Sequence, residues 1–420
     1  MRFIFGLMVC YTLMACQSTV VDAKNTASEA ESVGFSSERL ARIAPAIQEY
    51  IDQGKLAGTL TLVAKDGKIA YLNAQGMQDK AAGISMREDS IFRIYSMSKP
   101  VTAVAAMTLW EQGKFHMLDP ISKYLPKFKD MKVYVSGSGT EMVLEDAKSP
   151  IRIIDLFMHT SGLSYGFTGS EVDKLYRQLF SKPEELTPEN FAGKIAALPL
   201  NHQPGTAWHY GLSTDLIGFL VEKISGKKLG EYMQENIFSP LGMLDTGFYV
   251  PTDKVNRFTQ IYTADQKTGH TIVMQNEPLG DFKSDPAIHN GGGGLVSTIQ
   301  DYFTFAQMML NGGEINGVRI LGRKTVEYMT TNHLPKQLIP FEHYAPGEGF
   351  ALAMSVTVAP EMSGFMSSKG NFGWAGAAST YFRVDPVEKI VMITMTQFIP
   401  GGFHRYNDDF RNLVYQALVD

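Results

Sequence analysis

A serine and a lysine three residues apart, in Ser96-Met97-Ser98-Lys99, are followed at once by Pro100 and a long apolar run. Residues three apart on a helix share a face, so the lysine amine can reach the serine hydroxyl. Serine is a weak nucleophile until a base takes its proton. A Ser-Lys pair supplies that base without a histidine. The spacing recurs at Ser225-Gly226-Lys227-Lys228, and context separates the two copies. Ser225 closes an apolar helical pattern (Leu216, Ile217, Phe219, Leu220, Ile224) and meets Gly226, a helix C-terminal signal. Ser96 opens a helix. Pro100 lacks a backbone N–H, which only a first turn tolerates. Residues 101–112 then read as a buried helix ended by Gly113. A serine at a helix start is also a common N-cap, and the pair alone leaves both readings open.

Other segments carry weaker chemistry. Gly162-Leu163-Ser164-Tyr165-Gly166 matches G-x-S-x-G, the nucleophile elbow, which needs a strand before it and a helix directly after. Here 151–159 reads as a helix capped near Ser149, and Phe167-Thr168-Gly169 delays the next one, so Ser164 reads as a decoy. The nine histidines are scattered, none paired at metal-ligand spacing, and His159 and His202 read as structural. Gly291-Gly292-Gly293-Gly294 reads as a tight passage between domains beside the site. Pro204-Gly205-Thr206-Ala207-Trp208-His209-Tyr210 is a loop leading into a helix near 213–215. Its tyrosine can move a proton if a cation lowers the phenol from its usual pKa of about 10. Phe372-Gly373-Trp374-Ala375-Gly376-Ala377-Ala378 opens a strand whose small residues let substrate lie along the edge and whose N–H groups can face an oxyanion. Core packing is the alternative for both stretches.

The elements that must hold these groups follow from periodicity. A helix is expected over 35–51, a strand over 58–64, an Asp66-Gly67 turn and a return strand over 69–73. From 118 to about 286 the pattern is mostly helical, broken by a ribbon at 132–144. Strands return at 349–358, 376–384 and 389–396, with a closing helix at 406–419; Ser297 or Thr298 caps a helix opening at Asp301. The expected fold class is α+β: one antiparallel sheet of N- and C-terminal strands flanked by helices, with an inserted, mostly helical domain. The α/β part spans about 35–117 and 287–420, and the helical part about 118–286. Ligand sites favour such a seam.

Composition narrows the function. The chain has 420 residues, 44% of them hydrophobic and 19% charged, with a net charge of −5. It is globular, and with no Lys/Arg run or basic-aromatic alternation no nucleic-acid partner is expected. Both cysteines, Cys10 and Cys16, lie in the first sixteen residues, so the folded part has neither disulfides nor cysteine metal sites. There is no H-E-x-x-H and no G-x-x-x-x-G-K-[ST], and no metal or cofactor is expected. Met1-Arg2 and the short apolar run 3–15 form a targeting segment too short to span a bilayer. It ends Leu13-Met14-Ala15-Cys16, which resembles a bacterial lipoprotein signal apart from Met14, where a small residue is usual; ordinary signal-peptidase cleavage nearby is the other reading. Lipidation of Cys16 would leave 16–34 as a polar tether and place the protein on a membrane, facing the periplasm or cell exterior; without it the protein would be soluble in the periplasm.

Taken together and in order, these segments resemble the serine β-lactamase and penicillin-binding-protein superfamily, with class C β-lactamases and family VIII carboxylesterases as the nearest branches. The resemblance covers about 35–420. Ser96-x-x-Lys99 matches its S-x-x-K, Tyr210-Gly211-Leu212 stands where the family has Y-x-N or Y-S-x, and Trp374-Ala375-Gly376 stands where β-lactamases have K-T-G or H-T-G. His159-Thr160-Ser161-Gly162-Leu163, Pro204-Gly205-Thr206, Ser239-Pro240-Leu241-Gly242-Met243 and 291–298 support it. The resemblance implies Ser96 as acylated nucleophile, Lys99 as holder of its proton, Tyr210 as base and then acid, and the N–H groups of Ser96 and Ala377 as oxyanion donors. It implies Leu212, Trp374, Ala375 and Gly376 as substrate contacts, with Tyr165 lining the acyl pocket. Leu212 replaces an amide and Trp374 a charged residue, which disfavours an anionic β-lactam or D-Ala-D-Ala peptide. Both changes suit the esterase branch. The expectation is an acyl-enzyme carboxylesterase of small uncharged acyl esters, with weak β-lactam hydrolysis. A β-lactamase, a D-Ala-D-Ala carboxypeptidase and a non-catalytic binding lipoprotein are the alternatives.

Overall fold

The computed structural model describes residues 29–338 and 346–419. The targeting segment 1–15, Cys16 and the tether to residue 28 lie outside the described residues. The tether expected over 16–34 is corrected for its last residues, 29–34. Residues 29–32 make a helical turn, and Ala30 and Val33 are buried in the core beside the C-terminal helix. No helix among the described residues is long and apolar enough to cross a membrane.

The main sheet has eight strands. In chain order they are β1 (Gly58–Lys65), β2 (Lys68–Asp79), β3 (Ile84–Ser85), β4 (Glu348–Phe350), β5 (Ser355–Thr357), β6 (Phe372–Ala375), β7 (Tyr381–Asp385) and β8 (Ile390–Met395). Their spatial order is β4-β5-β6-β7-β8-β1-β2-β3, antiparallel throughout. The two ends of the chain meet where β1 pairs with β8, from Leu60 opposite Met395 to Lys65 opposite Ile390. These two strands are buried along their whole length because both faces are covered. Leu60, Leu62, Ile393 and Met395 point to one core, and Val63, Ile390 and Met392 to the other, the period of two that a pleated strand imposes.

The second core is closed by α1 (Ile43–Asp52) and the C-terminal helix, through Ile43, Ile47, Phe410 and Val414. The first is closed by α2 (Ser98–Glu111) and a helix over Ile299–Leu310, and continues into the helices α3 (Ile153–Phe157), α4 (Glu171–Phe180), α5 (Pro188–Ala196) and α6 (Ser213–Ser225). With α7 (Ile299–Leu310) and α8 (Tyr406–Tyr415), this is the expected α+β class with a sheet drawn from both ends of the chain. From Ser98 to Leu109 every residue of α2 is buried, which explains its apolar character all round.

Several boundaries differ from expectation, each for a local reason. The first helix breaks at Ala41 into Ser37–Leu40 and α1, with the Ser36 hydroxyl capping the first piece. The strand expected over 349–358 is the hairpin β4–β5, turned at Ala353 with φ 62°. The strand expected over 376–384 begins only at Tyr381. Gly376 to Thr380 is a turn closed by Gly376 N donating to Thr380 O at 2.8 Å, with Ser379 at φ 65°. Helix α3 starts at Ile153, because the Asp155 carboxylate accepts the Arg152 N–H at 2.9 Å and so sets the cap. The ribbon at 132–144 is the hairpin Lys132–Ser136 and Val143–Asp146, and Thr298 caps α7. Past Gly242 the helical pattern fails. Thr252–Arg257 is a 3-10 turn, and Tyr262–Ala264 and Thr271–Val273 form a small sheet with Phe398–Ile399. Pro251, Pro278 and Pro286 punctuate that stretch. The closing helix stops at Tyr415, and Leu418 turns back to bridge Phe35.

Candidate active site

Ser96 lies in a 3-10 turn, Tyr95–Met97, that runs directly into α2. Between Ser90 and Leu109 it is the one residue that is not buried, so its hydroxyl is the opening in an otherwise closed wall. The turn is strained. Tyr95 has φ 39°, a conformation that a bulky side chain adopts only when its surroundings enforce it. The Tyr95 ring is buried and packs edge-on against Phe282, with centroids 5.8 Å apart.

Lys99 follows one helical turn later and is 1% exposed. Its Nζ donates to Ser96 Oγ at 3.2 Å and to Gly292 O at 2.6 Å. It also lies 4.7 Å from the Tyr210 ring centre and 5.0 Å from that of Tyr165. A buried amine needs such partners: the carbonyl accepts one of its N–H groups, and the aromatic faces add no competing charge. The glycine run expected to lie beside the site does so: it supplies the carbonyl that fixes the lysine.

Tyr210 comes from the loop before α6, and its hydroxyl donates to Ser96 Oγ at 2.8 Å. His159 sets that loop. Its carbonyl accepts the His209 N–H at 2.8 Å, its Nδ1 accepts the Gly211 N–H at 3.4 Å, and its ring packs 4.8 Å from that of Tyr210. Full burial, aided by the Lys99 charge, pushes the His159 imidazole well below its ordinary pKa, so it stays neutral. The Trp208 ring stacks on Tyr210 at 5.9 Å, and Trp374 Nε1 donates to the Tyr210 hydroxyl at 3.4 Å.

Strand β6 closes the third side with Trp374 and Ala375. A Cβ on Gly376 would stand 2.5 Å from Ile94 O, two residues before Ser96. Only glycine lets the strand end approach the Ser96 turn this closely. Ala377, beyond it, is exposed at the mouth.

Tyr165 joins the group from the loop after α3. Its hydroxyl donates to Asp215 Oδ2 at 2.6 Å. Phe167 stacks on it, centroids 5.2 Å apart, and is 76% exposed. Leu212 is not at the surface of the site. Its side chain is 0% exposed in the main core, where it leads the chain into α6, so the expected substrate contact there is corrected. Ser164 is buried and its hydroxyl donates a hydrogen bond directly to Asp173; one nitrogen of His209, Nε2, faces both that hydroxyl at 3.3 Å and the carboxylate at 3.7 Å, so the imidazole does not bridge the two and no triad forms. The second S-x-x-K copy lies at the end of α6, where Gly226 takes φ 72°.

Sequence reasoning missed Asp215, Phe167 and the use of the His159 ring. Asp215 lies five residues after Tyr210 in the first turn of α6, but an acid in a first turn is ordinary and signals nothing further. Among the described residues no three His, Cys, Asp or Glu side chains converge as a metal would require.

The comparisons agree with this architecture. A family model described as Beta-lactamase matches residues 43–416. "Protein Rv1367c" of Mycobacterium tuberculosis is 35% identical over 362 residues, covering 84% of this chain and 89% of its own. "Esterase EstB" of Burkholderia gladioli is 26% identical over 393 residues, covering 88% and 94%. The solved structure "EstCE1, a hydrolase with promiscuous acyltransferase activity" is 26% identical with a TM-score of 0.78, covering 90% of this chain and 99% of its own. With the sheet, the helices and the match all spanning nearly the whole described chain, the protein belongs to the β-lactamase family and has its β-lactamase/transpeptidase-like fold.

Proposed function

We propose that the protein is a serine carboxylesterase that cleaves uncharged acyl esters through an acyl-enzyme on Ser96. The observation that carries this reading is the convergence of Lys99 Nζ and the Tyr210 hydroxyl on Ser96 Oγ, at 3.2 Å and 2.8 Å. Ser96 Oγ attacks the acyl carbon, and its proton passes to the Lys99–Tyr210 pair. The oxyanion is met by the N–H groups of Ser96 and Ala377. The pair then protonates the departing alkoxide, so an alcohol leaves and the acyl group stays on Ser96. Water, giving its proton to the same pair, releases the acid and restores the serine.

Ester over β-lactam is supported by the walls. Trp374 stands where a carboxylate-binding cation would be, and Leu212 is withdrawn into the core. The mouth is aromatic, built from Tyr165, Phe167, Trp208 and Tyr210, with Trp374 buried behind Tyr210. The relatives named esterase and hydrolase point the same way. Turnover of p-nitrophenyl butyrate against nitrocefin tests the reading, with mass spectrometry of the Ser96 peptide. A higher kcat/KM for nitrocefin than for the ester overturns it, as does ester turnover that survives Ser96→Ala.

We also propose export and lipid attachment at Cys16, supported by the apolar run 3–15 ending at that cysteine. Palmitate labelling that persists in Cys16→Ser refutes it.

A further inference from the structure

Asp215 is a fully buried acid at the site that the acyl-transfer scheme leaves unused. It stands in the first turn of α6 and is 1% exposed. Oδ2 accepts the Tyr165 hydroxyl at 2.6 Å, and Oδ1 accepts the Gly292 N–H at 3.1 Å. Both donors belong to residues that touch Lys99. Its Nζ donates to Gly292 O at 2.6 Å and lies over the Tyr165 ring. The carboxyl and the amine are thus sealed in the same interior, joined by two bridges rather than by direct contact. A Cβ on Gly292 would collide with the Tyr165 hydroxyl and stand 2.5 Å from Asp215 Oδ2, so the glycine is required by the bridge itself.

We infer that Asp215 is a positioning residue that locks Gly292 and Tyr165 around Lys99 and so holds the amine in reach of Ser96 Oγ. The ionisable groups packed around the pair are Tyr165, Tyr210 and, behind Tyr210, His159. His159 is held neutral by burial, and the Tyr165 phenol is pushed well above its ordinary pKa by burial and by Asp215. Burial raises the Asp215 carboxyl, while Lys99, the Tyr165 hydroxyl and the Gly292 N–H pull it back toward the anion.

The inference rests on Ser96 and Lys99 performing acyl transfer. Its test is the rate of Ser96 acylation by p-nitrophenyl butyrate in the full-chain protein, with KM and the thermal midpoint measured alongside. Asp215→Asn keeps the shape and loosens both bridges, and the acylation rate falls about tenfold with KM within about twofold. Tyr165→Phe keeps the ring over Lys99 and breaks one bridge, so the rate falls less. Because the two side chains act through one bridge, the double variant is no slower than Asp215→Asn alone. Additive losses in the double variant, a rise in KM without a fall in the acylation rate, or wild-type rates in both single variants overturn the inference. If Asp215→Asn does not fold, Tyr165→Phe alone decides: a slower acylation at unchanged KM supports the bridge and a wild-type rate refutes it. A wild-type protein that never acylates Ser96 refutes the esterase reading instead.

Discussion

The Tyr210 hydroxyl donates to Ser96 Oγ at 2.8 Å from a loop 114 residues further along the chain. Nothing local joins the two. Their meeting depends on α2 lying against α6 and on His159 gripping the loop from both its carbonyl and its ring. Tyr210→Phe keeps the ring among Trp208, His159 and Tyr165 and removes only the phenol. Acylation of Ser96 should fall by about 10²–10⁴-fold, the range for a lost proton-transfer group. Stopped-flow acylation with an unchanged thermal midpoint checks it, and a wild-type rate places the base elsewhere.

Lys99 has both a chemical and a structural part, and two substitutions separate them. Lys99→Met fills most of the buried stem volume and should cost at least about 10² in acylation. Lys99→Ala should lose as much activity and also destabilise the fold by about 3 kcal/mol, because a cavity opens that the methionine side chain fills. Urea unfolding of both variants distinguishes the two effects; equal stabilities would mean that the void left by the stem costs nothing.

Phe167 is exposed, yet it stacks on the ring that faces Lys99. A substrate whose alcohol or acyl part is aromatic meets that face on entry. Phe167→Ala should raise KM for 1-naphthyl butyrate about 2- to 10-fold, the worth of one aromatic pair, and leave ethyl butyrate nearly unchanged. Equal effects on both esters would remove Phe167 from the binding surface.

Asp301 makes stability depend on pH away from the site. Burial, with the like charge of Asp245, raises its carboxyl from 3.8 to about 6, against the Asp245 N–H, the Thr246 hydroxyl and Lys254, which lower it. The folded chain therefore holds this proton where the unfolded chain has released it. The contribution is fully present below the unfolded value and is lost as pH rises through about 6. Relative to Asp301→Asn, the wild type should lose about 3 kcal/mol between about pH 3.5 and about pH 7. Denaturant titrations at both pH values measure the difference; a constant gap contradicts the shift.

The parts of the site that read clearly are those written in local geometry. Ser96 and Lys99 share one helical turn, and Pro100 marks where that turn begins. Tyr210 and Trp374 were legible as motif residues, but their convergence on one oxygen is tertiary. Leu212 was misplaced because residue type says nothing of direction: an apolar residue before a helix can face substrate or core, and here it faces the core. The strand breaks at Ala353 and Ser379 were hidden because both residues take a left-handed backbone without being glycine. Asp215 was hidden because what distinguishes it is the glycine run that lies against it, many residues away in the chain.

The pairing of Leu60 with Met395 puts the first strand of the chain beside the last of the main sheet. Contacts between such distant positions form slowly, since a long loop must close before they contribute. Strand β6, which brings Trp374 and Gly376 to Ser96, lies inside the sheet between β5 and β7 and cannot be seated by a chain that is still being synthesised. The nucleophile's helix must therefore wait, with its apolar surface uncovered, for strands made long after it. Loss of the chain from β8 onward should then leave a chain that aggregates, rather than a folded but inactive enzyme.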